Sequence, residues 1–269
     1  MSNKNLKHRH NKRNEIPPNT ENKTKKKSGK SVNNFHEAEI EKNLRRQKIL
    51  SEISLNFNSL DRFSQKVNDA LQTIGKHTDV SRVYIFEDGE NNKYTSNTYE
   101  WCNKGVSPQI NELQNIPYSV IPSWKTILEK KGLIRSENII ELPEDIYAIL
   151  APQEIKSIIA FPLKDSENIF GFIGFDECST KREWSKSEIE LLQTVANIIS
   201  NAYVKQRIQA ELANRERENR IILKSMPDII LQVDKTGRIK SFNSPVKHQL
   251  FEKVRNDKTD TIQSVFDKK

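Results

Sequence analysis

The sequence predicts an α+β fold, an antiparallel sheet with helices on one face and a long C-terminal helix. Three observations lead there. Apolar residues recur at three- and four-residue steps near both ends of the central region, the spacing of amphipathic helices. Between them lie two pairs of β-branched and aromatic runs, each pair joined by a polar turn, the pattern of antiparallel hairpins. A long polar stretch carrying Pro108, Pro117 and Pro122 separates the two pairs.

In chain order, Ile40, Leu44, Ile49, Leu50, Ile53 and Phe57 mark one face of a first helix within 37–58. Asp61 stands where a cap would open a second helix, with Phe63, Val67, Ala70, Leu71 and Ile74 as its buried stripe. Gly75 weakens its last turn and is expected to help end it. Residues 80–86 read as a strand, Asp88-Gly89 as hairpin turn chemistry and 94–102 as the partner strand. The crossover that follows has room for short helices at 123–131 and 143–150. Residues 155–163 and 169–176 form the second hairpin, in which Gly171 and Gly174 mark close backbone approach or a bulge within the second strand. Ser185 then caps a long helix whose stripe is Ile189, Leu192, Val195, Ala196, Ile199 and Tyr203.

Strands apolar on both faces need a cover on both faces. The first, second and last helices supply one, and the proline-bearing crossover is the material left for the other. A pocket between sheet and crossover is therefore the natural ligand site. Phe86, Trp101, Trp124 and Phe161 are the expected walls, with Arg82 and Glu100 as polar contacts.

Charge and composition narrow the function classes. The chain is 35% hydrophobic and 30% charged, so part of it is expected to stay unpacked. Residues 1–34 hold ten Lys or Arg against two Glu, which accounts for the whole net charge of +8. This basic tail is expected to be disordered, and an adaptor binding nucleic acid or lipid through it is one alternative function. Cys102 and Cys178 form neither a disulfide framework nor a zinc motif, which points to reduced thiols in a cytoplasmic protein. No run of apolar residues is long enough to span a membrane. There is no phosphate-binding loop, dinucleotide fingerprint or nucleophile–base pair, so the chain is read as non-catalytic.

Residues 189–223 contain no Gly or Pro. A seam at alternating four- and three-residue steps runs Leu191, Val195, Ile198, Ala202, Lys205, Gln209, Leu212, Glu216, Asn219, Leu223. Such a period drives parallel helix pairing, so a homodimer through this linker is expected.

Several segments carry a family resemblance. Arg82-Val-Tyr-Ile-Phe-Glu, Asn97-Thr-Tyr-Glu-Trp-Cys, the stretch Pro108 to Pro117, Ile155-Lys-Ser-Ile-Ile-Ala-Phe-Pro-Leu, Gly171-Phe-Ile-Gly-Phe-Asp and Trp184 resemble a GAF domain of the bacterial sensor kinase and diguanylate cyclase type. The resemblance implies a sensory domain over 35–205, a small-molecule ligand, and a histidine kinase or cyclase output that this chain does not carry. It assigns no cofactor. Cyclic-nucleotide-binding members carry Asn-Lys before Phe-Asp-Glu, whereas here Phe175-Asp-Glu stands without it. Bilin-binding members place a His beside the reactive Cys, and neither Cys102 nor Cys178 has one in sequence. A redox enzyme of the free methionine sulfoxide reductase type is a second alternative, and it requires the two cysteines to approach. Residues 206–224 are then a helical linker. The stretch Ile221 to Asn243 resembles the opening of a PAS domain, truncated within 225–269.

Overall fold

The computed structural model describes residues 21–166, 168–225, 230–236 and 238–243. The tail reading for residues 1–20 and the PAS reading beyond residue 243 lie outside them.

Helix α1 (Glu21–Asn56) starts upstream of Phe35, where the sequence places the onset of order. Helical hydrogen bonds close within their own segment and do not depend on side-chain burial. Its expected apolar stripe divides in two. Ile49 and Ile53 are buried, while Ile40 and Leu44 are 59% and 60% exposed, because only the C-terminal turns of α1 lie on the domain.

Helix α2 (Phe63–Thr78) buries Val67, Ala70, Leu71 and Ile74. Asp61 is not its cap. Its carboxylate accepts from Ser59 Oγ at 2.7 Å, and Arg62 holds the cap position without a side-chain bond. Nor does Gly75 end the helix. It is buried inside it, and a Cβ there would lie 2.2 Å from the Trp101 ring, so the glycine lets the sheet approach. The chain leaves α2 through Asp79, in the left-handed region at φ 51°.

The strands are β1 (Arg82–Asp88), β2 (Tyr94–Cys102), β3 (Ile116–Pro117), β4 (Ile134–Ser136), β5 (Ser157–Asp165) and β6 (Asn168–Glu177). They form one antiparallel six-stranded sheet in the order β3-β2-β1-β6-β5-β4. The crossover contributes α3 (Pro122–Lys131), ended by Gly132 at φ 73°, and α4 (Glu144–Leu150). Helix α5 (Lys186–Ser225) opens with a reciprocal capping box. Ser185 Oγ accepts from Glu188 N–H at 3.3 Å, and Glu188 Oε2 accepts from the Ser185 amide at 3.3 Å.

Two apolar cores sandwich the sheet. One joins Ile49, Ile53 and the α2 stripe to Val83, Ile85, Phe161, Phe175 and α5. The other joins Tyr84, Phe86, Ala160 and Phe172 to Trp124, Leu128, Ile146 and Leu150 of the crossover. The two-sided strands are thus covered as expected.

The expected pairing seam on α5 is only partly available. Leu191 and Val195 are buried in the domain's own core. Beyond Tyr203 the helix leaves the sheet, and Ile208 and Leu212 become 61% and 58% exposed. A hairpin of β7 (Ile230–Val233) with β8 (Ile239–Asn243) follows. Asp234 sets its turn by accepting from the amides of Thr236 and Arg238, at 2.8 and 3.0 Å. Among the described residues no helix is long and apolar enough to cross a membrane.

Candidate functional site

The face of the sheet under the crossover is set by alternation along β1, where Arg82, Tyr84 and Phe86 share one side. Two β-bulges then reset that alternation. In β2 the register jumps so that Ile85 faces Tyr99 while Phe86 faces Asn97, leaving Thr98 as the extra residue. Asn97 and Glu100 consequently reach the same face although three residues apart. In β6 Phe170 is the extra residue, opposite the step from Leu163 to Lys164. Phe170 therefore packs with the helices and Phe172 with the crossover.

Tyr84, Phe86 and Phe172 of the sheet meet Trp124 of α3 and Leu150 of α4 around a cavity of about 30 Å³. That is room for roughly one or two waters, so a larger guest requires the crossover to lift. Its walls are aromatic and ordered. Phe86 stacks on Phe172 with centroids 4.8 Å apart and planes at 8°, Tyr84 meets Phe86 edge-on at 5.5 Å, and Trp124 lies 4.9 Å from Phe172.

Of the expected walls, Phe86 and Trp124 line this cavity, and Trp101 and Phe161 do not. Trp101 faces α2, against Gly75. Phe161 packs edge-on with Phe175 in the helix-side core. Both errors are errors of strand parity, because a one-residue change of face sends an aromatic to the opposite layer. Asn97, Tyr84 and Phe172 were missed for the same reason. Tyr84 was recoverable from alternation with Phe86, and the glycines of β6 hinted at a bulge there, but no local signal announces the one at Thr98.

The two expected polar contacts serve the frame of the site. Glu100 lines the cavity, yet its Oε2 accepts from the amides of Gln109 and Ile110 at 2.8 and 3.0 Å, and its Oε1 accepts from Asn97 Nδ2 at 3.3 Å. It thereby ties the start of the crossover to β2. Arg82 is 1% exposed and lies outside the cavity wall. Its Nη2 sits 3.3 Å from Asp176 Oδ2, an ion pair lacking hydrogen-bond alignment. The guanidinium also donates to the carbonyls of Ser107 (3.5 Å) and Gln153 (3.4 Å), at two points of the crossover.

Asp176 accepts from Tyr84 Oη at 2.8 Å. Burial outweighs the pull of Arg82 and pushes this carboxyl up to about 7. An unfolded Asp titrates at about 3.9. Between those values the folded state binds more protons than the unfolded one, so stability contributed by Asp176 is full below the window and lost as pH rises through it. Asp176→Asn is expected to flatten that fall. Urea midpoints of both proteins at about pH 5 and about pH 8 check it, and identical pH dependence in the two would refute it.

Both thiols are held toward their protonated form. Burial, followed by Glu100, pushes Cys102 up to about 11, and burial also raises Cys178 despite Arg82 Nη2 at 3.7 Å from its sulfur. A thiol held above its ordinary value is a weak nucleophile. No cluster of His, Cys, Asp and Glu among the described residues could hold a metal ion.

On the far side of the sheet the cavity has neighbours that reach α5. Glu87, next to Phe86, accepts through Oε1 from Thr98 Oγ1 (2.9 Å) and from Tyr203 Oη of α5 (2.8 Å). Thr98 is the bulge residue beside Asn97. Phe170 meets Tyr203 at 5.7 Å and lies under the Arg207 guanidinium at 4.3 Å.

Comparison with known proteins places this architecture. The model of the GAF domain family matches residues 63–203. The methanogenesis regulatory histidine kinase FilI of Methanothrix harundinacea (strain 6Ac) is 39% identical over 162 residues, covering 57% of this chain and 18% of that kinase. The chain thus spans less than a fifth of that relative's length. Among solved structures, the phycoerythrobilin-bound GAF domain of a cyanobacterial phytochrome aligns with a TM-score of 0.55 at 13% identity, over 62% of this chain and 99% of that one. The chromophore-binding domain of Stigmatella aurantiaca bacteriophytochrome aligns at 0.51 and 12% identity, over 60% of each chain. At these identities the likeness is one of fold.

Proposed function

The chain belongs to the GAF domain family, and from that membership we propose that it is a non-catalytic sensory module whose pocket, under the crossover, reports to helix α5. The observation that carries the reading is the Glu87 junction. Its single oxygen joins the bulge of β2 to Tyr203, and the residues beside it, Phe86 and Asn97, line the cavity. A guest that lifts the crossover or widens the Phe86–Phe172 stack strains β1 and β2 at that junction. The strain reaches α5 where it leaves the domain. The likeness to a regulatory histidine kinase supports an output of that class, carried by a partner or by a longer protein.

The free end of α5 then passes the change to a second copy. Leu212 of the expected seam and its neighbour Ile208, one position off that seam, lie four residues apart on the exposed side, and Asn219, one heptad beyond Leu212, serves as a register-setting polar position. Native mass spectrometry of the purified chain tests the relay's dimeric form and any retained small molecule together. A dimer is expected, reduced to monomer by the double substitution Ile208→Glu and Leu212→Glu. A wild-type chain that stays monomeric would refute the pairing.

A further inference from the structure

Two polar atoms of the cavity wall have no hydrogen-bond partner among the described residues: Trp124 Nε1 and Asn97 Oδ1. Trp124 is 3% exposed and Asn97 2%, so neither atom is satisfied by bulk solvent. The amide orientation of Asn97 follows from chemistry. Its other end meets the Glu100 carboxylate, which only accepts, so the NH2 points there and the carbonyl oxygen is the free atom. Beside the already engaged Glu100, Tyr84, Thr95 and Gln153, the cavity wall thus leaves one buried donor unpartnered, the indole N–H, and one buried acceptor, the amide oxygen, among aromatic faces.

The same wall excludes other chemistries. It contains no Lys, Arg or His, and it contains Glu100. Arg82, on the same side of β1 but outside the wall, turns both terminal nitrogens to Asp176 and the crossover carbonyls, which leaves its Nε as the part of that guanidinium unpartnered among the described residues. An anion would be desolvated beside a carboxylate with no counter-charge. An alkylammonium could use the ring faces and Asn97, but would leave the Trp124 N–H buried without an acceptor. A hydrocarbon would leave both polar atoms unpaired.

We infer that the pocket recognises a small neutral ring presenting an N–H donor beside an acceptor, of the azole or lactam class, held between Asn97 Oδ1 and Trp124 Nε1 against the Phe86–Phe172 stack. The inference rests on the sensory reading of this pocket and adds the class of its ligand. Such a guest satisfies both orphaned atoms at once, which makes the polar pair a filter as well as an anchor.

The test uses pyrazole as the neutral donor–acceptor probe, with benzoate, tetramethylammonium and toluene as anionic, cationic and apolar controls. The indole N–H resonance of Trp124 in the ¹⁵N-labelled full chain, assigned with Trp124→Phe, is followed during each titration. Pyrazole is expected to move it saturably and downfield, and the three controls to leave it in place. Asn97→Ala is expected to weaken pyrazole roughly tenfold, and Trp124→Phe to do the same in ligand-observed experiments. The second variant keeps the aromatic wall should the first fail to fold. Saturable binding of a control as tight as pyrazole, or pyrazole binding unchanged in both variants, overturns the ligand class and leaves a sensory pocket of other chemistry. If no probe of any class moves the Trp124 resonance, the pocket itself is closed to guests and both readings fall.

Discussion

Replacing Arg82 with Met is expected to lower the unfolding free energy by about 3–5 kcal/mol, the usual consequence of stranding one member of a buried ion pair. Arg82 and Asp176 are each 1% exposed, and their charged groups lie 3.3 Å apart. Met fills comparable volume but leaves Asp176 with Tyr84 Oη as its donor. It also frees the carbonyls of Ser107 and Gln153, so the crossover loses two of its ties to the sheet. The stranded carboxylate can escape by taking a proton. The loss should therefore be smaller at about pH 5 than at about pH 8, and adding Asp176→Asn to Arg82→Met should recover part of it. Urea denaturation of the single and double variants at both pH values reads all three effects. A loss below about 1 kcal/mol at the higher pH would mean that the pair contributes no more than a surface bridge.

Gly171→Ala is expected to cost about 3 kcal/mol, through overpacking between two central strands. A Cβ at position 171 would lie 2.2 Å from the Phe86 carbonyl oxygen and 3.2 Å from Glu87 Cα. Those are backbone atoms, so no rotamer change relieves the contact and β1 must part from β6. The strands would separate beside the Phe86–Phe172 stack, which links this stability effect to the cavity. Gly105 is the control. It sits at φ 83° with open space around its Cβ position, so Gly105→Ala bears only the left-handed backbone strain, about 1–2 kcal/mol. Denaturation midpoints that put the two variants level would remove the special role of position 171.

The elements were legible because their signals are local. Val80 to Phe86, the Ser185 cap and the apolar stripe of α2 each declare themselves within a few residues, through alternation, capping chemistry or helical period. The hairpin after β1 does too, although its reversal falls on Glu90–Asn92, with Asn91 and Asn92 at positive φ, and not on Asp88-Gly89. The site was legible by halves. Phe86 and Trp124 do line the cavity, but Trp101 and Phe161 lie in the opposite layer. The Thr98 and Phe170 bulges that govern which residues share a face are properties of strand pairing; Gly171 hints at the second, while β2 carries no mark of the first, and neither strand alone fixes the position. Ile40, Leu44, Leu191 and Val195 teach the same lesson for helices. Period tells which residues share a stripe, while only the packing partner determines whether the stripe meets the domain's own core or open solvent.

From residues alone came the α+β class, the succession of helices and hairpins, the crossover as cover and the GAF family, since all of these follow from short-range pattern. The tertiary structure alone decided which residues line the cavity, the engagement of Arg82 and Glu100 as clamps, the two polar atoms unpartnered among the described residues and the Glu87–Tyr203 link. Each of those depends on groups far apart in sequence, such as residues 82 and 176 or 87 and 203, meeting at hydrogen-bonding range. Such meetings are fixed by strand register and layer packing, which no local stretch of chain encodes.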